Sequence, residues 1–233
     1  MAGAFFPGAE TVDYTFHWRP VFRRLPELLE ASILTLEVSV LAMLIGILLG
    51  LTLALIKMSG IRSITWFATS WIEIARNTPA LLQLFFVGFG LGAYGIHLSP
   101  FLIVLCALSF NNAGYLAETF RGGFQAVPDT QLKAARSLGM TLSQAYGRII
   151  IPQVMRIVYY PMTNQMVWSV LVSSLGMLVG FHELSSATQF EASRTYRIFE
   201  FFLVTAGIYY IIVKLILGGS KLIAWRFFRN EAG

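Results

Sequence analysis

The stretch Gln131-Leu132-Lys133-Ala134-Ala135-Arg136-Ser137-Leu138-Gly139, followed after nine further residues by Ile149-Ile150-Ile151-Pro152, decides how this chain is read. It is polar, and strongly apolar runs flank it on both sides. Leu132, Ala135 and Leu138 recur at helical spacing. Gly139 suits the left-handed backbone that ends a helix. Thr141 with Gln144 three residues later is the signature of a capping box, so a second helix starts there. Leu142, Tyr146, Ile149 and Ile150 form its apolar stripe, and Pro152 predicts a stop near Ile151. The stretch reads as helix, break, helix. The small side chains of Ala134 and Ala135 permit close approach by another surface. Two uses fit: a hairpin folded back on its own bundle, or a surface on which a partner docks.

The setting of that stretch follows from composition. Of 233 residues, 56% are hydrophobic and 12% charged, against roughly 25% charged in soluble domains. Such a chain is an integral membrane protein of one domain. A spanning helix needs about 20 mostly apolar residues, and residues 30–56, 65–91, 98–118, 163–184 and 199–219 qualify. Without water in the hydrocarbon core, helices satisfy the backbone. The expected fold is all-α, with five transmembrane helices and the polar stretch as a cytoplasmic helical loop between the third and fourth. Trp66 and Trp225 stand at span ends, where aromatic side chains favour the water–lipid boundary. Cys106 lies in an apolar run and, as the single cysteine, has no internal disulfide partner.

Orientation follows from short-loop lysines and arginines. Lys57, Arg62, Arg121, Lys133, Arg136, Arg148, Arg156, Lys221, Arg226 and Arg229 fall on one side, and Arg194 and Arg197 on the other. This places the C-terminus and the central loop in the cytoplasm and the N-terminus outside. Arg19, Arg23 and Arg24 run against that placement. Residues 1–29 read as an extracytoplasmic or interfacial segment, 30–225 as the membrane domain and 226–233 as a cytoplasmic tail. The first residues lack the basic start of a signal peptide. Trp18 to Leu25 reads either as a short amphipathic helix on the membrane surface or as an irregular lead-in. The net charge of +5 marks cytoplasmic loops rather than a nucleic-acid partner.

Enzymatic chemistry is not expected. No Gly-x4-Gly-Lys-Ser/Thr occurs, and Gly218-Gly219-Ser220-Lys221 has the wrong spacing for a phosphate loop. His17, His97 and His182 are isolated, so no metal site is expected, and no Gly-x-Ser-x-Gly elbow appears. Polar groups inside the spans need a reason, because charge there is costly. Glu73 with Arg76, and Glu118 with Arg121, are three apart and can pair on one helix face, as boundary salt bridges or in subunit contact and gating. Asn77-Thr78-Pro79 predicts a break in the second span, serving as a kink or as part of a translocation path. Asn111 and Asn112 suit interhelical hydrogen bonding or pore lining. Ser173 and Ser174, with Gly176 and Gly180, suit close packing or a polar path. Lys214 can snorkel to the boundary. Glu37 finds no partner by spacing.

The spacing Ala134-Ala135, Gly139, Ile149 and Pro152 resembles the "EAA" loop of permease subunits of binding-protein-dependent ABC importers, with Ile151 in the leucine place and Lys133 where the family often has glutamate. Other segments resemble the polar amino acid branch (the histidine, glutamine and glutamate type). These are Arg76-Asn77-Thr78-Pro79 with Leu81-Leu82-Gln83-Leu84-Phe85-Phe86, then Tyr115-Leu116-Ala117-Glu118-Thr119-Phe120-Arg121-Gly122-Gly123 with Gln125 and Val127-Pro128, then Thr195-Tyr196-Arg197 with Phe199-Glu200. They run from about residue 65 to 200.

The resemblance implies a methionine-permease-like fold in a bacterial inner membrane. It implies a coupling loop at about 128–152, with Lys133, Ala134, Ala135, Gly139, Ile149 and Pro152 set in a groove of a cytoplasmic ABC ATPase dimer. ATP and Mg would bind that partner, with no cofactor in this chain. It also implies a second permease subunit and an extracytoplasmic substrate-binding protein. The implied function is a permease subunit of an ATP-driven amino acid importer that forms half of the pore. A permease for another small solute, such as methionine or an osmolyte, and a non-transporting membrane scaffold or receptor subunit are the other readings. The substrate path draws on Asn77, Thr78, Gln83, Asn111, Asn112, Ser173 and Ser174. After Asn164 the branch often has Lys-Asp/Asn-Ser/Thr-Ser-Leu, where this chain has Leu171-Val172-Ser173-Ser174-Leu175. That departure favours a heteromeric pair, in which a sister chain reads the substrate's charges, over a homodimer.

Overall fold

The computed structural model describes residues 14–228, which are helices and connecting turns with no strand among them. Helix α1 (Arg19–Arg23) is a single turn with Pro20 at its start, and α2 (Leu25–Met58) follows almost at once. A turn through Gly60 leads to α3 (Arg62–Asn77), then α4 (Ala80–Phe85), which runs on as a π turn over Phe86–Gly90. Helix α5 (Pro100–Ala126) is capped by the Ser99 hydroxyl, which accepts from the Leu102 N–H. Then come α6 (Asp129–Ser137), α7 (Leu142–Ala145), a π turn over Tyr146–Ile150, and α8 (Ile151–Val172) with a 3-10 extension to Val179. Helices α9 (Leu184–Thr195) and α10 (Ile198–Phe228) complete the described chain.

Among the described residues, four helical runs are long and apolar enough to cross a membrane: α2, α5, the continuous Leu142–Val179, and α10. They take up the expected first, third, fourth and fifth spans. The expected second span is divided. Helix α3 ends at Asn77 because Thr78 and Pro79 are extended (φ −117°, ψ 144° and φ −60°, ψ 136°). Proline lacks an N–H and forces its predecessor out of the helical region. The remainder, Ala80–Gly90, is a shorter apolar helix.

Pro152 does not stop a helix, contrary to the sequence expectation. The Ile151 N–H bonds the Tyr146 carbonyl five residues back. This wider π turn takes up the register change that a proline ring and its missing donor impose, so the helix runs through. The fourth span accordingly starts at Leu142 and ends at Val179, where Gly180 turns left-handed at φ +80°.

Of the N-terminal segment, residues 1–13 lie outside the described residues, and so does the tail beyond 228. In the described part Arg19–Arg23 is one helical turn, with Val21 buried and Phe22 62% exposed.

Helix α5 is central. A Cβ placed on Gly46 of α2 would lie 2.5 Å from the Asn112 Cβ, and one on Gly114 of α5 would lie 2.4 Å from the Ala75 Cβ of α3. Small residues thus let α2 and α3 close on α5 from two sides, the usual means of association in lipid. At the other end of the bundle, buried carboxylates tie α2, α9 and α10 together. Glu183, fully buried, caps α9 by accepting from the Ser185 and Ser186 N–H groups at 2.9 Å each. It also accepts from the Tyr209 hydroxyl at 3.0 Å and the Thr35 hydroxyl at 3.4 Å. Glu200, also buried, accepts from the Tyr14 hydroxyl and, at 2.9 Å, from the His17 N–H.

Candidate functional site

The loop at 128–152 is built from local rules. Pro128 is extended, and α6 begins behind it with Asp129 in the first turn, where a carboxylate favours the positive end of the helix dipole. The helix closes as a Schellman motif. The Gly139 N–H bonds the Arg136 carbonyl at 3.0 Å and the Met140 N–H bonds the Ala135 carbonyl at 3.2 Å. Gly139 supplies the required positive φ, +81°. The capping box is present as expected: the Thr141 hydroxyl accepts from the Gln144 N–H at 3.2 Å, and the Gln144 side chain accepts from the Thr141 N–H at 2.9 Å.

The two edges of this loop differ. The inner edge is anchored: Ala135 is buried, Leu132 and Ile149 pack against Val127, Ile150 and Val154, and the Gln153 amide donates to Gln131 at 2.5 Å. Away from that edge Leu138 is 83% and Leu142 55% exposed, while Tyr146, 40% exposed, lines a cavity with Leu132 and Ile150. Lys133, Ala134, Gly139 and Pro152 are exposed as well. The stripe Leu132-Ala135-Leu138 is therefore split, since the turn at Gly139 directs Leu138 outward. The hairpin folds back on its own bundle along one edge and leaves Leu138 and Leu142 exposed.

The second candidate cluster lies at the break between α3 and α4. There Ala75 and Thr78 carbonyls lose helical donors, and side-chain amides replace them. The Gln83 amide donates to the Ala75 carbonyl at 2.9 Å, the Thr78 carbonyl at 3.1 Å and the Thr78 hydroxyl at 2.9 Å. Asn111 of α5 donates to the Ala75 carbonyl at 3.1 Å and to the Gln83 Oε1 at 3.0 Å. The Asn111 Oδ1 is buried without a partner among the described residues. A cavity of about 670 Å³ opens beside the break, lined by Ile74, Thr78, Gln83, Phe86, Cys106 and Phe110 among others. Of the path candidates, only Thr78 and Gln83 line it.

Asn111→Leu is expected to destabilise the protein by about 1–3 kcal/mol, because it leaves the buried Gln83 Oε1 without its donor and removes one of the two donors to the Ala75 carbonyl. The unfolding midpoint of the purified chain in detergent reads this out. An unchanged midpoint would show that the amide is not what holds the break together.

The remaining candidates separate. Asn112 points to the other side of α5, donating to the Ser169 hydroxyl at 3.2 Å and accepting from Gln165 at 2.9 Å. Ser173 and Ser174 each bond a carbonyl three residues back, and Asn77 is exposed. The Glu118–Arg121 pair is present at 2.5 Å and is joined by Lys57 at 2.8 Å. The Glu73–Arg76 pair is not: the Arg76 guanidinium lies over the Tyr115 ring, 5.6 Å from its centroid, and Glu73 has no ion pair among the described residues. Lys214 sits over the Tyr210 ring at 5.2 Å. Glu37 is exposed on α2. Sequence reasoning missed Lys57 as the partner of Glu118, and missed Glu183 and Glu200 as buried acceptors. An acidic residue just before Ser185-Ser186 was a usable helix-start signal for Glu183; the others are long-range contacts with no local signal.

The comparisons with known proteins agree with this architecture. The chain is 34% identical over 201 residues to the "Probable amino-acid permease protein YxeN" of Bacillus subtilis, covering 85% of this chain and 90% of that one. A solved structure described as an amino acid ABC transporter with histidines superimposes with a TM-score of 0.85 at 35% identity, over 91% of this chain and all of that one. An inward-facing MetNI methionine ABC transporter structure matches with a TM-score of 0.68 over 91% of this chain and 99% of its own, and at 17% identity it supports the fold alone. The family described as the binding-protein-dependent transport system inner membrane component matches residues 6–224. With that match added to the anchored loop and the broken helix, the chain belongs to this family of inner membrane components.

Proposed function

We propose that this chain is a permease subunit of an ATP-driven amino acid importer, forming half of the translocation pore. A cytoplasmic ABC ATPase dimer docks on residues 128–152, and an extracytoplasmic binding protein delivers the substrate. ATP and Mg belong to the ATPase. The broken pair α3–α4 makes the fifth crossing, and the N-terminus lies outside. The second permease subunit is a sister chain, because Leu171 and Val172 offer no charge with which to read an amino acid's ends.

The observation that carries this reading is the loop's division of labour. Leu138 and Leu142 stand bare on a loop whose other edge is packed onto the foot of α5 and α8. A surface anchored in this way transmits a push to two spans at once, as coupling to an ATPase requires.

Gly139→Val tests the coupling. Open space surrounds Gly139, so a new side chain meets no clash. The left-handed backbone is the obstacle, and a β-branched residue there disfavours the turn on the order of 10-fold. The expected outcome is normal abundance in the membrane with uptake of labelled amino acids reduced on that order, in vesicles that also carry the sister permease chain, the ATPase and the binding protein. Full uptake by the variant would count against the loop as the coupling element.

A further inference from the structure

The arginines that run against the charge rule for membrane orientation converge on one pocket. Arg19, Pro20, Arg23 and Arg24 of the α1–α2 corner, with Thr195 at the end of α9, line a cavity of about 490 Å³. Arg24 is already engaged, with Glu27 at 2.8 Å and Glu191 at 3.4 Å. Glu191 is shared with Arg194 at 3.4 Å. Glu27 and Glu191 are thus engaged, while Arg19 and Arg23 are exposed and have no ion pair among the described residues. Two guanidinium groups beside one cavity call for an anion, and their planar forks suit phosphate oxygens.

The same corner carries exposed aromatic residues. Phe16 is 54% exposed, Trp18 37% and Phe22 62%. The Phe16 and Trp18 rings stack 5.6 Å apart at 7°. Aromatic side chains of this kind favour the headgroup level of a bilayer. The membrane-crossing α2 starts at Leu25, directly after Arg24. The pocket therefore sits where an apolar span gives way to water, with cations and exposed rings alternating along one short segment.

We propose that this pocket holds the headgroup phosphate of an anionic phospholipid, with Arg19 and Arg23 as its ligands and Phe16, Trp18 and Phe22 resting against the lipid surface. The lipid phosphate supplies counter-charge to Arg19 and Arg23. The site does not depend on the cargo, nor on which leaflet meets α1.

Native mass spectrometry of the full-length chain in neutral detergent tests this, with phosphatidylglycerol or phosphatidylcholine titrated in. Binding of the first phosphatidylglycerol is expected to weaken roughly 5-fold per arginine, or about 25-fold in Arg19→Gln/Arg23→Gln. Phosphatidylcholine binding and the unfolding midpoint are expected to stay as in the unaltered chain, and Arg19→Lys/Arg23→Lys to retain part of the affinity. Three outcomes would overturn the site. One is equal phosphatidylglycerol affinity in the glutamine variant and the unaltered chain. Another is an equal loss in Lys221→Gln/Arg226→Gln at the far end of α10. The third is displacement of the lipid by millimolar inorganic phosphate, which would assign the pocket to a soluble anion. If lipid binding is unchanged but capture of the purified binding protein falls, the pocket belongs to an acidic protein surface and the lipid assignment fails.

Discussion

Gly46→Leu is expected to remove most folded protein from the membrane. The Cβ it adds would stand 2.5 Å from the Asn112 Cβ and 3.4 Å from the Ala113 nitrogen. A Cβ is fixed to its backbone, so no rotamer of Asn112 relieves the contact, and α2 and α5 must separate. Separation also strains the Asn112 bonds to Ser169 and Gln165, which lie at the crossing of α2, α5 and α8. Overpacking and loss of partners by a buried amide together cost about 2–6 kcal/mol, which is of the order of a domain's whole stability. Gly207→Leu on α10 is the matched control, because nothing lies within 4 Å of its added Cβ. Size-exclusion chromatography of detergent extracts and the unfolding midpoint compare the two. Similar yields and midpoints for both variants would show that the close approach at Gly46 does not govern assembly.

What the sequence disclosed was what short-range geometry decides. The glycine turn at 139 and the capping box at 141–144 involve backbone groups within a few residues, and both are present. So is the interruption at Thr78-Pro79, because a missing donor acts locally. Pro152 shows the limit. Its stop signal is real for an isolated helix, yet a π turn one residue upstream absorbs it, and packing of Ile150, Val154 and Val158 favours continuing.

Charge pairs follow the same division. The spacing of Glu118 and Arg121 led to their contact, but Lys57 reaches Glu118 from 61 residues away. Equal spacing failed for Glu73 and Arg76, because the Tyr115 ring on α5 offers the guanidinium another place. Helical periodicity placed Leu138 with Leu132 and Ala135. The Schellman turn rotates it to the opposite side, which only the backbone path discloses.

That outward leucine underlies the largest effect on partner binding. Leu138→Glu/Leu142→Glu is expected to weaken association with the ATPase by roughly 100-fold or more, since each leucine buried in an apolar groove contributes about 1.5–3 kcal/mol and a buried unpaired charge costs more than that contribution. In the free chain both leucines are already exposed, at 83% and 55%, so membrane insertion is expected to be unchanged and the unfolding free energy to shift by less than about 0.5 kcal/mol per substitution. Ala135→Glu gives the contrast. Ala135 is 2% exposed on the packed edge, so a carboxylate there attacks the fold and lowers the midpoint before any partner is added. Co-purification of the tagged chain with the ATPase separates the cases. Loss of the ATPase from an otherwise stable double variant places the docking surface on the bare edge. Stoichiometric ATPase on that variant would mean the bare leucines touch no motor, and a different face of the bundle must then be sought for the coupling.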